Sequence, residues 1–291
     1  MKFLRLISPL ILIALLAAPS IAASVVGPAK GSLVIVGGNI QDLSILRRFI
    51  DLAGGPEVPI VVIPTAGGAP DYDQYWTGLK IFRDAGAKNL TVLHTYDRKI
   101  ADTEKFVEPL RRARGVFFWE GRQWRLADSY LNTLTHREIQ AVLDRGGVIG
   151  GSSAGASIQG SFLMRGDTKT SDIIIGDHTQ GLGFMRNVGI DQHVLIRNRE
   201  WDMLEVLKVY PNLLGLALDE NTAIVVQQDE FEVIGQSYVI IYDNKKHIPQ
   251  NGPFYFLRAG DRYNLATREA TRPTQSQTAQ PFSRLQKVPN R

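Results

Sequence analysis

The stretch Val148–Gly160, VIGGSSAGASIQG, decides how the rest of the chain is read. An apolar run meets a cluster of serine, alanine and glycine, after a buried strand and before a helix. Small residues there make a tight turn, and glycine–serine turns are common for that reason alone. The same residues also permit a different device. Gly151–Gly155, GSSAG, fits G-x-S-x-G in a strand–turn–helix setting, where a strained turn lifts the Ser153 hydroxyl above the sheet. The Ala154 amide, at the helix start, is then placed to donate to an oxyanion. The two uses are separated only by what the remaining residues bring to that turn.

Working outward, apolar runs alternate with amphipathic segments through the first half. SLVIVGG (Ser32–Gly38), VPIVVIPTAGG (Val58–Gly68), NLTVLHTY (Asn89–Tyr96) and GVFFWEGRQ (Gly115–Gln123) read as strands running into turns. The run ending in GSSAG is a fifth. Helical spacing marks Leu43–Gly55, YWTGLKIFRDAGA, DTEKFVEPLRRA with Asp102 or Thr103 as cap, and Asn132–Gly147. Strands apolar on both faces, alternating with helices, predict an α/β fold with a mostly parallel sheet flanked by helices on both faces. In such sheets, sites form at the carboxyl ends of strands. The glycine turns at Gly37-Gly38, Ala66–Gly68, Gly121 and Gly151–Gly155 all follow strands and are expected on one edge. The second half adds GLALDENTAIVVQQ and FEVIGQSYVIIYD, read as adjoining strands joined by tight turns. Residues 28–265 are expected to form one domain, and the polar segment 266–291 a disordered tail.

The first 23 residues have a basic start (Lys2, Arg5), an apolar middle and a small-residue end (Ala18, Ala22, Ala23). This is the build of a cleaved signal peptide, so a secreted or periplasmic protein is expected, with no stable membrane association once the leader is removed. The chain of 291 residues is 44% apolar, enough for a large core, and it lacks cysteine, which excludes disulfides and a thiol nucleophile. Its 33 basic and 29 acidic residues leave it near neutral, and its densest basic run, LRRARG, reads as a solvated helix end. Nucleic acid is not an expected partner.

A serine nucleophile needs a base, and the base needs an orienting acid. Of five histidines, His136 lies in a polar helix, His247 in a lysine-flanked loop and His94 at a strand end. His178 and His193 follow the serine in glycine-punctuated segments, and chemistry favours His193. Asp219 and Glu220 end an apolar strand and either can orient an imidazole, although Asp-Glu-Asn is also good turn chemistry. No close metal-ligand spacing occurs, and neither metal nor cofactor is expected. Ser152 and Ser157 read as small packing residues.

FFWEGRQWRL, GGSSAGAS, GLGFMRNVGIDQHVLIRNR and GLALDENTAIVV resemble, in order, the motifs of the cyanophycinase group of serine peptidases. That group belongs to the peptidase E-like family, whose fold is similar to class I glutamine amidotransferases. The resemblance runs from about Lys30 to Ile241. It implies a serine peptidase domain with Ser153 as nucleophile, His193 as base and Glu220, not Asp219, as acid. It implies oxyanion donation by the amides of Gly121 and Ala154, and substrate contacts by Gln123, Asp191, Gln192, Arg197 and Arg199. Arg197 and Arg199 would clamp aspartyl carboxylates, and Asp191 would meet a substrate arginine. It also implies a homodimer and a peptide or polymer substrate. Cyanophycin is a poly-aspartate with arginines on its side-chain carboxyls, cleaved to β-aspartyl-arginine dipeptides. Three positions, in two motifs, depart from the pattern. The turn usually reads Gly-Gly-Asn or -Asp-Gln, and here it is Glu120-Gly121-Arg122-Gln123. A third pocket arginine is replaced by Asp202. These departures keep two alternatives in view, a hydrolase of aspartyl or isoaspartyl short peptides and an inactive binding protein on the same fold.

Overall fold

The computed structural model describes residues 26–246 and 252–273. The leader-like residues 1–23, His247 and residues 274–291 of the expected tail lie outside the described residues. Strand and helix alternate as the apolar pattern predicts. β1 is Ser32–Val36, α1 Leu43–Ala53, β2 Ile60–Ile63, α2 Leu79–Asp84 and β3 Leu90–Val92. α3 is Arg98–Ala101 and α4 Glu104–Arg112, whose cap is Thr103, accepting from the Phe106 amide. β4, Gly115–Phe118, leads into α5, Gln123–Tyr130, an addition to the expected helices. α6 is Leu134–Asp144, β5 Val148–Ser152 and the short α7 Ala154–Ser157. The second half holds β6 Gly160–Phe162, β7 Met185–Gln192, α8 Asp202–Val209, β8 Leu214–Leu218 and β9 Thr222–Gln227. It closes with β10 Glu230–Gly235, β11 Tyr238–Asp243, β12 Tyr255–Arg258, β13 Arg262–Asn264 and β14 Glu269–Thr271.

The larger sheet runs β14-β13-β10-β9-β1-β5-β4-β2-β3, and its β1, β5, β4, β2 and β3 are parallel. The smaller runs β12-β11-β8-β7-β6, with β6, β7 and β8 parallel. Side chains alternate across the larger sheet. Val34, Val36, Val62 and Phe117 pack with Phe49 of α1 and Phe82 of α2. Leu33, Ile35, Val61 and Phe118 pack with Leu110, Leu126 and Ile139 of α4, α5 and α6, in a core that continues to Ile190, Leu216 and Ile241 of the smaller sheet. α8 lays Met203, Val206 and Leu207 against Ala217 and Ile240 of that sheet.

Two expectations change. The segments read as tight-turned neighbours are split between sheets: β8 and β11 belong to the smaller, β9 and β10 to the larger. Asp219–Asn221 therefore carries the chain from one sheet to the other, because β9 finds its antiparallel partner in β1. The first part of the expected tail is also structured. β14 pairs with β13, and Arg268 bonds Asp243 at 2.5 Å.

These pairings bring several strand ends to one place. The Ser153 amide donates to Val36 O at 3.0 Å, and the His193 amide to Gly37 O at 2.9 Å. Gly37 N donates to Thr222 O, Asn221 N to Gly38 O and Arg122 N to Ala66 O. The turns after β1, β2, β4, β5 and β7 and the approach to β9 thus meet on one edge.

Candidate active site

Ser153 follows β5 with φ +55° and ψ −110°, a conformation that a non-glycine residue rarely adopts. Strain of this kind costs about 1–3 kcal/mol and persists only where the surroundings impose it. Here the residue is tied at both ends: its amide reaches Val36 O, and its carbonyl accepts from Ala156 and Ser157 N. The bend is tight enough that a Cβ on Gly151 would lie 2.1 Å from Gly155 O. This is the physical reason for the small residues of the opening stretch.

His193 stands one residue past β7, also at positive φ (+54°), and its ring lies over the turn after β1. At Gly38, φ +128°, a Cβ would come within 2.2 Å of His193 Cε1. His193 Nε2 is 2.8 Å from Ser153 Oγ, and Nδ1 is 2.6 Å from Glu220 Oε1. Glu220 Oε2 accepts from Asn39 Nδ2 at 2.7 Å. A carboxylate only accepts, so the neutral imidazole holds its proton on Nδ1 and donates it to Glu220. Nε2 is left as the acceptor of the Ser153 hydroxyl. Burial pushes the His193 imidazole below its ordinary value, and the nearby Arg197 charge adds to this against Glu220 and Glu120. Burial alone would raise Glu220, but hydrogen bonds from Asn39 and His193 outweigh it and hold the carboxyl below the usual range.

Asp219 does other work. Its Oδ1 accepts from Leu195 and Ile196 N at 3.1 Å each, and its Oδ2 accepts from Ser237 Oγ. It fixes the loop after His193 while its neighbour Glu220 meets the ring. Ser152 is not mere packing either. Its Oγ donates to Glu120 Oε1 at 2.6 Å, and Asn39 N donates to the same oxygen at 2.9 Å. Asn39 thus holds Glu120 with its backbone and Glu220 with its side chain, a role that its place after Gly37-Gly38 only hints at. Gly121 and Ala154 both reach this edge, and among the described residues neither amide has a protein acceptor.

Of the expected pocket residues, Arg197 is exposed. Arg199 is 7% exposed and makes only long contacts, at 3.3–3.4 Å, with Gln192 Oε1 and O. Two of the expected substrate contacts are buried and have partners within the protein. Asp191 is fully buried and accepts a bidentate pair from Arg165, Nε at 2.8 Å and Nη2 at 2.9 Å. Gln123 is 1% exposed and spends its Nε2 on Met164 O at 2.6 Å. The Asp191 carboxylate and Gln123 Nε2 are thus engaged inside the protein. Arg165 is a residue that sequence reasoning missed; it also bonds Asp202 Oδ2 at 2.5 Å, so the aspartate standing for an arginine has a partner. The charges of Arg165 and Arg199 match those of Asp191 and Asp202, so this group is neutral overall where an arginine at position 202 would make it cationic.

The other described histidines lie elsewhere. His178, the alternative base, sits between Asp177 and Asp128 at 2.8 and 2.7 Å. His94 bonds Thr65 Oγ1, and His136, half-buried, bonds Leu182 O.

A family model, "Peptidase family S51", matches residues 33–234. A cyanophycinase of Geminocystis herdmanii is 32% identical over 263 residues, covering 82% of this chain and 96% of that protein. A cyanophycinase of Synechococcus elongatus is 30% identical over 266 residues, with 82% and 81% covered. Among solved structures, a peptidase from an acI-B1 Actinobacterium aligns with TM-score 0.64 at 24% identity, over 81% of this chain and 97% of that one. A putative peptidase E of Listeria monocytogenes aligns with TM-score 0.51 at 17% identity, over 71% and 99%. These neighbours share the class I glutamine amidotransferase-like α/β fold.

Proposed function

The chain belongs to peptidase family S51 and is a serine-type peptidase, and we propose that Ser153, His193 and Glu220 are its catalytic residues. The observation that carries this reading is the unbroken line of hydrogen bonds from Ser153 Oγ through His193 to Glu220, starting on a strained turn. Ser153 Oγ attacks the scissile carbonyl carbon as its proton passes to His193 Nε2. The carbonyl oxygen, now an anion, takes the amides of Gly121 and Ala154; one such donor is worth roughly 10²–10³ in turnover. Collapse breaks the C–N bond, and the leaving amine takes the proton from Nε2. Water then gives a proton to His193, adds to the ester and returns Ser153 with its hydrogen. Glu220 keeps the ring's tautomer and offsets its charge when protonated.

The substrate in this reading is cyanophycin, supported by the names of the relatives and by exposed Arg197, a group suited to an aspartyl carboxylate. An exported enzyme suits an external polymer, and the leader-like first 23 residues support export. Ser153→Ala should abolish release of β-aspartyl-arginine from purified cyanophycin and labelling by a fluorophosphonate. Turnover that survives the substitution would remove Ser153 from the mechanism. The neutral Arg165–Asp191–Asp202–Arg199 group supports a second reading, hydrolysis of short aspartyl or isoaspartyl peptides. A panel of such peptides separates the two.

A further inference from the structure

Glu120 and Arg122 flank Gly121 of the oxyanion turn, and the Arg122 guanidinium turns away, its Nη2 donating to Asp167 O at 2.5 Å. One of its oxygens, Oε1, is fixed by two neutral donors, Ser152 Oγ at 2.6 Å and Asn39 N at 2.9 Å. Those donors flank the reaction centre: Ser152 precedes the serine of the elbow, and Asn39 Nδ2 holds Glu220. The carboxylate is near enough for its charge to act on His193. Among the described residues Glu120 forms no ion pair, its Oε2 has no protein donor, and the side chain is only half-buried.

This placement has a cost for the chemistry. An anion next to the oxyanion turn opposes the negative charge that develops there, and the more so as water is excluded, while the same charge favours the imidazolium of His193. Two neutral hydrogen bonds orient the carboxylate without cancelling its charge. A cation beside Oε2 would cancel it, and the described residues supply none there.

We propose that Glu120 selects substrates carrying a cation near the scissile carbonyl, an ammonium or guanidinium that pairs with Oε2 and completes the charge balance of the site. Arg197 would take an anionic group of the same substrate, so the mouth fits a zwitterionic residue rather than a neutral one. The proposal rests on the peptidase reading above and adds to it which group Glu120 recognises. Ser152 is then a positioning residue that aims Glu120, which explains why the turn carries two serines.

The test reads binding, not turnover, and so stands apart from the triad assignment. Calorimetry on the Ser153→Ala protein measures β-aspartyl-arginine, its N-acetyl form, which lacks the ammonium, and β-aspartyl-citrulline, which lacks the guanidinium. The same ligands are measured on Ser153→Ala/Glu120→Gln, where the amide oxygen can still accept from Ser152 and Asn39. One ligand change should weaken binding at least about tenfold in the Ser153→Ala protein and less than about twofold in the Ser153→Ala/Glu120→Gln protein, the size of one charge-assisted contact. Loss in the acetyl arm identifies the ammonium, loss in the citrulline arm the guanidinium. Equal losses in both proteins, or no measurable binding of β-aspartyl-arginine to the Ser153→Ala protein, would overturn the proposal. Failure of the triad reading has a separate signature, hydrolysis of cyanophycin by the Ser153→Ala protein.

Discussion

Asp191→Ala separates a buried structural carboxylate from a substrate contact. Asp191 is fully buried, and Arg165, 2% exposed, gives it two hydrogen bonds at 2.8 and 2.9 Å. Its Oδ1 also accepts from Gln192 N at 2.9 Å, one residue before His193. Removing the carboxylate leaves a buried guanidinium with only Asp202, whose side chain is 30% exposed, as its charged partner. Breaking a buried pair from one side costs about 3–5 kcal/mol. For a domain of this size 1 kcal/mol corresponds to roughly 2–4 °C in Tm, so the midpoint should fall by about 6–20 °C. Circular dichroism melts of the wild type, Asp191→Ala and Arg165→Met/Asp191→Leu measure this. The double variant replaces the pair by apolar groups and should recover more than half of the loss, because the uncompensated charge is gone. A Tm within about 2 °C of wild type for Asp191→Ala, with only a raised KM, would refute the reasoning and return Asp191 to the substrate surface.

The pH profile tests the electrostatics of the base. With His193 as the proposed base, its neutral form is the active one, so kcat/KM should be present above its pKa and lost as pH falls through it. Since burial and Arg197 lower that pKa, the acid limb should lie below the ordinary imidazole value of about 6.5. Arg197→Ala removes a repelling charge and should move the limb to higher pH; a move to lower pH would contradict the stated cause. Gly38→Ala should drive His193 aside, because its Cβ would lie 2.2 Å from the ring in a backbone conformation that alanine rarely adopts. Displacement of a reacting group by about 1 Å can cost 10²-fold, and kcat should fall by about that factor. An unchanged kcat would show that the ring is not held against this turn.

The parts of the fold legible in the sequence are those in which local pattern and tertiary role coincide. β1, β2, β4 and β5 are buried on both faces, so each is an apolar run, followed within a few residues by a glycine. Ser153 is legible because its strained turn demands small neighbours on both sides. The residues misread are those whose partners come from far along the chain. Asp191 looks like an accessible acid until Arg165 is placed beside it, and Arg165 lies in a loop without periodicity. Asp219-Glu220-Asn221 has the chemistry of a hairpin turn, yet β9 pairs with β1, so the same residues carry the chain between sheets. That crossing gives the two acids different tasks. Asp219, still aligned with the smaller sheet, ties down Leu195, Ile196 and Ser237, while Glu220, one residue further, meets Asn39 and His193 at the edge of the larger one. A hairpin in one sheet would have placed both acids on the same rim, and His193, which comes from the smaller sheet, would have lacked a carboxylate in reach of a serine that comes from the larger. The candidate site is therefore a product of the junction: its serine ends a strand of one sheet, its histidine ends a strand of the other, and its acid sits on the segment that joins them.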